Sequence, residues 1–248
     1  MSDHISASQD GAVLRLAFNR PDKKNAITAA MYGALADALG AADADDGVRA
    51  VLFEGRGDVY TSGNDIADFM SGAATSPDGS KPAVFRFLEA IATAEKPLVA
   101  AVQGPAVGVG VTMLLHCDLV YASEAATFHT PFVDLALVPE AASSLLLPEI
   151  AGHHRAAEML LLGKKIGAAR AREFGFVNEV VAPGALEETA MTAARALAGK
   201  APAAMRLTKK LMKGDRAPVL ARMKEEGGHF AAQLQSAEFR EAGMAFMQ

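Results

Sequence analysis

Residues 97–117 read PLVAAVQGPAVGVGVTMLLHC and contain no Asp, Glu, Lys or Arg. A membrane span needs roughly 20 apolar residues, so the length alone invites that reading. The interior argues against it. Gln103 and His116 are polar, three glycines loosen the run, and Pro105 would break a helix near its middle. The stretch is therefore read as a strand over 98–102, a glycine-rich turn, and a buried helix. A strand that empties through such a turn into a helix predicts an α/β fold.

Working outward, the flanks repeat the alternation. Residues 82–95 place Val84, Phe85, Leu88 and Ile91 on one helical face, and 118–123 and 127–129 read as short strands. Upstream, 12–18 alternate Leu14, Leu16 and Phe18 as a strand, and NRPDKKNAIT follows as a turn. Thr28 caps a helix through about residue 42, with Met31, Leu35 and Leu39 on its inner side. A strand over 50–54 leads into the loop GRGDVYTSGND, and the small polar residues of 71–81 predict a mobile loop. From Glu140 the pattern is mostly helical, with one strand in FVNEVV, and after about residue 183 it is helical throughout. The tail beyond residue 200 has apolar stripes but no core of its own, so it must dock on its own core or on another subunit.

Composition bounds the function. The chain has 248 residues, 51% apolar and 21% charged, which fits a globular protein and excludes disorder. A net charge of −5 gives no basic footprint for nucleic acid. Cys117 is the single cysteine, so no intramolecular disulfide or cysteine-rich metal site is expected. The polar start MSDHISASQDG carries no secretory pattern and the end AFMQ no peroxisomal address, which together predict a cytoplasmic protein.

Two loops have the character of a site: Ser62-Gly63-Asn64-Asp65 and residues 104–110, GPAVGVG. Each leaves a strand and enters a helix, where backbone N–H groups lack partners and favour negative charge. Aimed at one point, they would form an oxyanion hole; taken singly, each is an ordinary turn. Glu140, after the apolar FVDLALVP and opening the helix EAASSLLL, is a candidate general base if those neighbours desolvate it. The alternative is a glutamate that merely favours a helix start. His129 is a possible acid or base, or a structural histidine. His153 and His154 are adjacent and diverge on a helix, so they make no metal pair, and Ser143 and Ser144 lack a nucleophile elbow.

These segments together resemble the enoyl-CoA hydratase/isomerase (crotonase) superfamily over nearly the whole chain: NRPDKKNAIT, DVYTSGNDI, KPLVAAVQGPAVGVGVTMLLHCDLVYAS, ATFHTPF and GKKIGAARAREFGFVNEVV. ATFHTPF followed by LVPEAASSLLLP is most similar to delta-3,delta-2-enoyl-CoA isomerases of the peroxisomal type. The resemblance implies a spiral of repeated ββα units over residues 1–195. It also implies a helical region, 196–248, that builds a homotrimer or a dimer of trimers. It implies an acyl-CoA thioester substrate held by the N–H groups of Asn64 and Val109, with no separate cofactor and no metal. Lys23, Lys24, Ala26, Ser62, Gly63, Asp65, Ile66, Gly108 and Phe132 fall on substrate- and CoA-binding positions. The two glutamates of the hydratases fall on Thr112 and Phe132, neither of which is a base. Glu140 falls on the single base of the isomerases, and Ala141 stands where many isomerases have glycine. The implied reaction is 3-enoyl-CoA to 2-trans-enoyl-CoA isomerisation in β-oxidation. Two alternatives stay open: another crotonase-type reaction, hydratase-like, on an atypical acyl-CoA in which Thr112 or His129 contributes, and an acyl-CoA-binding protein without turnover.

Overall fold

The uncharged run owes its composition to burial on both sides. In the computed structural model, which describes residues 2–68 and 81–246, β4 (Leu98–Val102) is a central strand. Leu98, Ala100 and Val102 point into the main core, while Val99 and Ala101 point to the other face, under a helix. A strand covered on both faces reads as a continuous apolar run rather than an alternation.

β4 lies in a six-stranded sheet of order β1-β2-β3-β4-β6-β9. β1 (Ile5–Asp10) runs antiparallel to β2 (Val13–Phe18). β3 (Ala50–Gly55), β4, β6 (Leu119–Ser123) and β9 (Glu179–Val181) continue from β2 in parallel. A smaller sheet joins β5 (Ala106–Val107), β7 (Thr127–His129) and β8 (Ile166–Gly167). Parallel neighbours need crossovers, and helices supply them. α1 (Ala29–Ala44), capped by Thr28 accepting from the Met31 N–H, follows β2. The short α2 (Ile66–Asp68) and α3 (Ala83–Thr93) lie between β3 and β4. α1 and α3 bury Met31, Leu35, Leu39, Phe87, Leu88 and Ile91 in the main core.

After β5 the chain forms α4 (Val109–Thr112) and a 3-10 turn, Met113–His116. α5 (Ser143–Ala151), α6 (His153–Leu160) and α7 (Ala168–Phe174) follow β7. α8 (Leu186–Ala198) closes the second face of the sheet with Leu186, Ala190, Met191 and Ala194. Burying its two large side chains is worth about 1.5–3 kcal/mol each. α9 (Pro202–Lys213), α10 (Ala217–Leu234) and α11 (Ala237–Phe246) form the helical C-terminal region.

Several expectations need correction. The helix read from Glu140 begins at Ser143, because Ala141 and Ala142 are left-handed, with φ of 60° and 56°. α1 runs through Gly40 to Ala44 rather than stopping near residue 42. The single buried helix after Gly108 is two pieces, α4 and the 3-10 turn. β1, β5 and β8 join the strands already expected, β5 lying within the stretch read as a turn. The loop expected to be mobile, 71–81, lies outside the described residues up to position 80. The 195/196 boundary falls inside α8, and Val219 and Met223 of α10 belong to the main core. No described helix is long and apolar enough to cross a membrane.

Candidate functional site

The two glycine loops meet because a third segment ties them down. Buried Asn25, held at φ 55°, accepts from the Arg20 N–H at 2.8 Å and donates through Nδ2 to the carbonyls of Arg56 and Val59 at 2.9 and 2.7 Å. The Thr61 hydroxyl donates to the Asn25 carbonyl and accepts from the Gly63 N–H. Ile27 then pairs with the loop on one side, donating to the Gly63 carbonyl at 2.8 Å and accepting from the Asp65 N–H at 3.0 Å. In a parallel bridge of this kind the N–H of Asn64 itself faces away from Ile27.

β5 approaches on that other side, where the Val107 N–H donates to the Thr61 carbonyl at 3.0 Å. Gly63 sits at φ 87°, and a Cβ there would lie 2.8 Å from the Val107 carbonyl oxygen. Only glycine allows both the left-handed conformation and this contact. Gly108, at φ 55°, is anchored by its N–H to the His129 carbonyl at 2.8 Å and turns the chain into α4. The Val109 N–H therefore opens a helix and, like the Asn64 N–H, donates to no acceptor among the described residues. Buried Tyr32 orients the first loop by donating its phenol proton to Asn64 Oδ1. Burial first, then the charge of Glu140, raises the phenol well above its ordinary value, so it stays a donor.

Both loops open on a cleft of about 90 Å³ lined also by Pro131, Phe132, Leu135, Leu137, Phe230, Leu234 and Phe239. The last three come from α10 and α11, so the tail docks over the site of its own chain. Every contribution from outside the loops is apolar, which excludes water and strengthens an electrostatic contact made inside.

Glu140 is 7% exposed. The Thr112 hydroxyl, at the end of the helix that Val109 begins, donates to Glu140 Oε1. Burial raises the carboxyl from 4.5 to about 7; the Thr112 hydrogen bond opposes the rise and the charge of Glu226 adds to it. A group balanced near neutrality can both take and return a proton.

The turn that carries Glu140 is strained and clamped. Two successive left-handed alanines cost roughly 1–2 kcal/mol each. The Ala141 carbonyl accepts from His116 Nε2 at 2.8 Å, which fixes the Nε2–H tautomer, and burial lowers that imidazole to about 4, leaving it neutral. The Ala142 N–H donates to Glu226 Oε2 at 2.6 Å.

Of the residues singled out in the sequence, Ser62, Gly63, Asn64, Gly108, Val109 and Phe132 line the cleft. Lys23 and Lys24 are exposed on the turn beside Ala26, and the Lys24 carbonyl accepts from the Ser62 N–H. Asp65 pairs with Arg20 at 2.5 Å, a contact that lowers its carboxyl, and its backbone leads to Ile66 at the start of α2. His129 contributes its carbonyl to the Gly108 anchor, and burial lowers its half-buried ring. Tyr32, Asn25, His116, Glu226 and the three tail residues had not been singled out. Glu226 alone left a trace: it is a charge on the stripe Val219, Met223, Glu226, Phe230 of α10. Among the described residues no three His, Cys, Asp or Glu side chains are grouped as a metal site.

Comparison with known proteins gives a consistent picture. The Enoyl-CoA hydratase/isomerase family model matches residues 8–248. Enoyl-CoA delta isomerase 2 of Rattus norvegicus is 41% identical over 228 residues, covering 91% of this chain and 58% of that protein. Enoyl-CoA delta isomerase 3, peroxisomal, of Mus musculus is 42% identical over 214 residues, covering 85% of this chain and 67% of that protein. The chain thus spans somewhat more than half the length of these relatives. The crystal structure of an enoyl-CoA hydratase/isomerase from Pseudoalteromonas atlantica T6c superposes with a TM-score of 0.94 at 44% identity, covering 99% of this chain and 97% of that one.

Proposed function

The chain belongs to the enoyl-CoA hydratase/isomerase family, and within it we propose a delta-3,delta-2-enoyl-CoA isomerase that uses Glu140 as its only base. In this reading the thioester oxygen of a 3-enoyl-CoA accepts from the Asn64 and Val109 N–H groups. Glu140 removes a proton from C2, and the negative charge spreads onto that oxygen. The carboxylic acid then returns the proton to C4, leaving the double bond conjugated with the thioester. One carboxyl suffices because the same proton leaves and returns. No cofactor enters, and coenzyme A serves as the handle of the substrate, with Lys23 and Lys24 in reach of its phosphates.

The carrying observation is the pairing of Thr112 with Glu140. Where a hydratase would place one of its two glutamates, this chain has the Thr112 hydroxyl, bonded to Glu140. Apolar Phe132 occupies the other hydratase position and lines the cleft. Hydration needs an ordered water and a carboxylate to activate it, and neither position supplies one. A role in β-oxidation belongs to the same proposal, and so does assembly as a trimer or hexamer, which the exposed Leu207, Leu211 and Met212 on α9 support.

Purified protein incubated with 3-hexenoyl-CoA should generate the absorbance of the conjugated 2-enoyl thioester, and Glu140→Gln should abolish it. Equal turnover in the variant would refute the role of Glu140. Hydration of 2-hexenoyl-CoA without isomerisation would favour the hydratase-like reading. Acyl-CoA binding with no C2 proton exchange in deuterated water would favour a binding protein.

A further inference from the structure

The face of α10 that packs inward carries Val219, Met223, Glu226 and Phe230 at spacings of four, three and four, a helical stripe that is apolar except for the glutamate. A carboxylate in such a place is retained only if its lone pairs are satisfied. They are. Glu226 Oε2 accepts from the Ala142 N–H at 2.6 Å, and Oε1 accepts from the Ser144 N–H at 3.0 Å and the Ser144 hydroxyl at 2.6 Å. These donors lie at the N-terminus of α5, immediately after Glu140. The glutamate at this helix start is thus Glu226, supplied by the tail, and not Glu140.

We propose that Glu226 is a positioning residue for Glu140: the docked tail helix holds the left-handed Ala141–Ala142 turn through the Ala142 N–H and brings a second carboxylate to the turn that carries Glu140, so that C-terminal docking sets both its location and its charge surroundings. The proposal rests on the reading of Glu140 as the base. Without Glu226 the Ala142 N–H has no other acceptor among the described residues, and the turn keeps the His116 contact to the Ala141 carbonyl and the helix-start bonds that the Glu140 and Ala142 carbonyls accept from the Ser143, Leu145 and Leu146 N–H groups.

The groups around Glu140 are the Thr112 hydroxyl from α4, the Tyr32 phenol from α1 and Glu226 from α10. Behind the turn stand neutral His116 and Lys213, whose ammonium donates to the His116 carbonyl at 2.6 Å. Around Glu226, Arg222 donates to the Ser144 hydroxyl at 3.0 Å and pairs with Glu225 at 3.0 Å. Burial raises the Glu226 carboxyl, while the Ser144 and Ala142 donors and the Arg222 charge oppose that rise.

Glu226→Gln keeps the size of the side chain but offers one acceptor oxygen where two are used, and it removes the charge facing Glu140. With 3-hexenoyl-CoA, kcat should fall about tenfold with KM within about twofold, the pattern of a loss felt in the chemical step. The acid limb of the kcat profile should move down by about half a pH unit or more, because a like charge has gone. A readout free of turnover is the carboxyl carbon resonance of Glu140 in glutamate-labelled full-length protein, assigned by its loss in Glu140→Gln. Its titration midpoint should move down with the acid limb. An unmoved midpoint overturns the proposal, whether or not kcat falls, since a structural role alone would not tune the base. If wild type fails to isomerise the substrate while the midpoint still moves in Glu226→Gln, the proposed reaction is wrong and the coupling stands. Should Glu226→Gln not fold, Ser144→Ala removes the hydroxyl's bonds to Glu226 and from Arg222 and keeps both backbone contacts to Glu226. It should lower kcat about threefold at unchanged KM, and an unchanged kcat overturns the proposal.

Discussion

Glu140→Gln is expected to inactivate the enzyme and stabilise it, with the stabilisation appearing only as the pH rises. The carboxyl is raised from 4.5 to about 7 in the folded protein, chiefly by burial. Between those values the native state binds a proton that the unfolded state has released, so stability from this group falls as pH increases. Below pH 4.5 the carboxylic acid is neutral in both states and contributes no penalty. Above about pH 7 it is ionised in both, and the full cost is felt. At about 1.4 kcal/mol per pH unit, that cost is about 3 kcal/mol. Glutamine has nearly the same shape, can accept from Thr112, and never ionises. The stability difference between variant and wild type should therefore be near zero at pH 4.5 and grow to about 3 kcal/mol by pH 8. For a chain of this size that is on the order of 8 °C in melting temperature. Urea unfolding or thermal melts of both proteins from pH 4.5 to 8 would measure it, with wild-type turnover followed over the same range. Wild-type kcat should drop about tenfold per pH unit below pH 7, as the base becomes protonated. A stability difference that stays constant with pH, or favours wild type at pH 8, would show that Glu140 is solvated and ordinary, and the argument for its balance near neutrality would fail.

Two further outcomes follow from the loops and the tail. Gly63→Ala puts a Cβ 2.8 Å from the Val107 carbonyl oxygen at a residue with φ 87°. It should cost about 1–3 kcal/mol in unfolding experiments, because strain and clash add, and should lower kcat for 3-hexenoyl-CoA by displacing the Asn64 N–H; full activity would show that the loop contact does not set the donor. Leu211 is 82% exposed on α9, and Leu211→Glu should shift the mass measured by light scattering from that of a trimer or hexamer toward a 25.8 kDa monomer; an unchanged mass would place any subunit contact elsewhere.

What could be read in the sequence was whatever depends on near neighbours. β4 was legible because burial on both faces leaves an unmistakable uncharged run, and α1 because Thr28 and the spacing of Met31, Leu35 and Leu39 act within one helix. β1 was hidden for the converse reason. As an edge strand it pairs only with β2, and ISASQD exposes enough polar side chains to look like a tail. The start of α5 was misread because local pattern favours a helix from Glu140, whereas the left-handed alanines are imposed from elsewhere. His116 holds one from the turn after α4, and Glu226 holds the other from a helix more than eighty positions away.

The same distinction explains the site. The two glycine loops announce themselves through their glycines, since close backbone approach admits no other residue. The state of Glu140 depends instead on Thr112 and Glu226, which only the fold brings to it. A carboxyl in an apolar setting with one hydroxyl donor and one like charge must rise, and neither neighbour is adjacent in the chain. The tail therefore does more than cover the cleft. Through Phe230, Leu234 and Phe239 it excludes water, and through Glu226 it reaches the turn behind the base, so a change that undocks α10 should weaken substrate enclosure and proton transfer together.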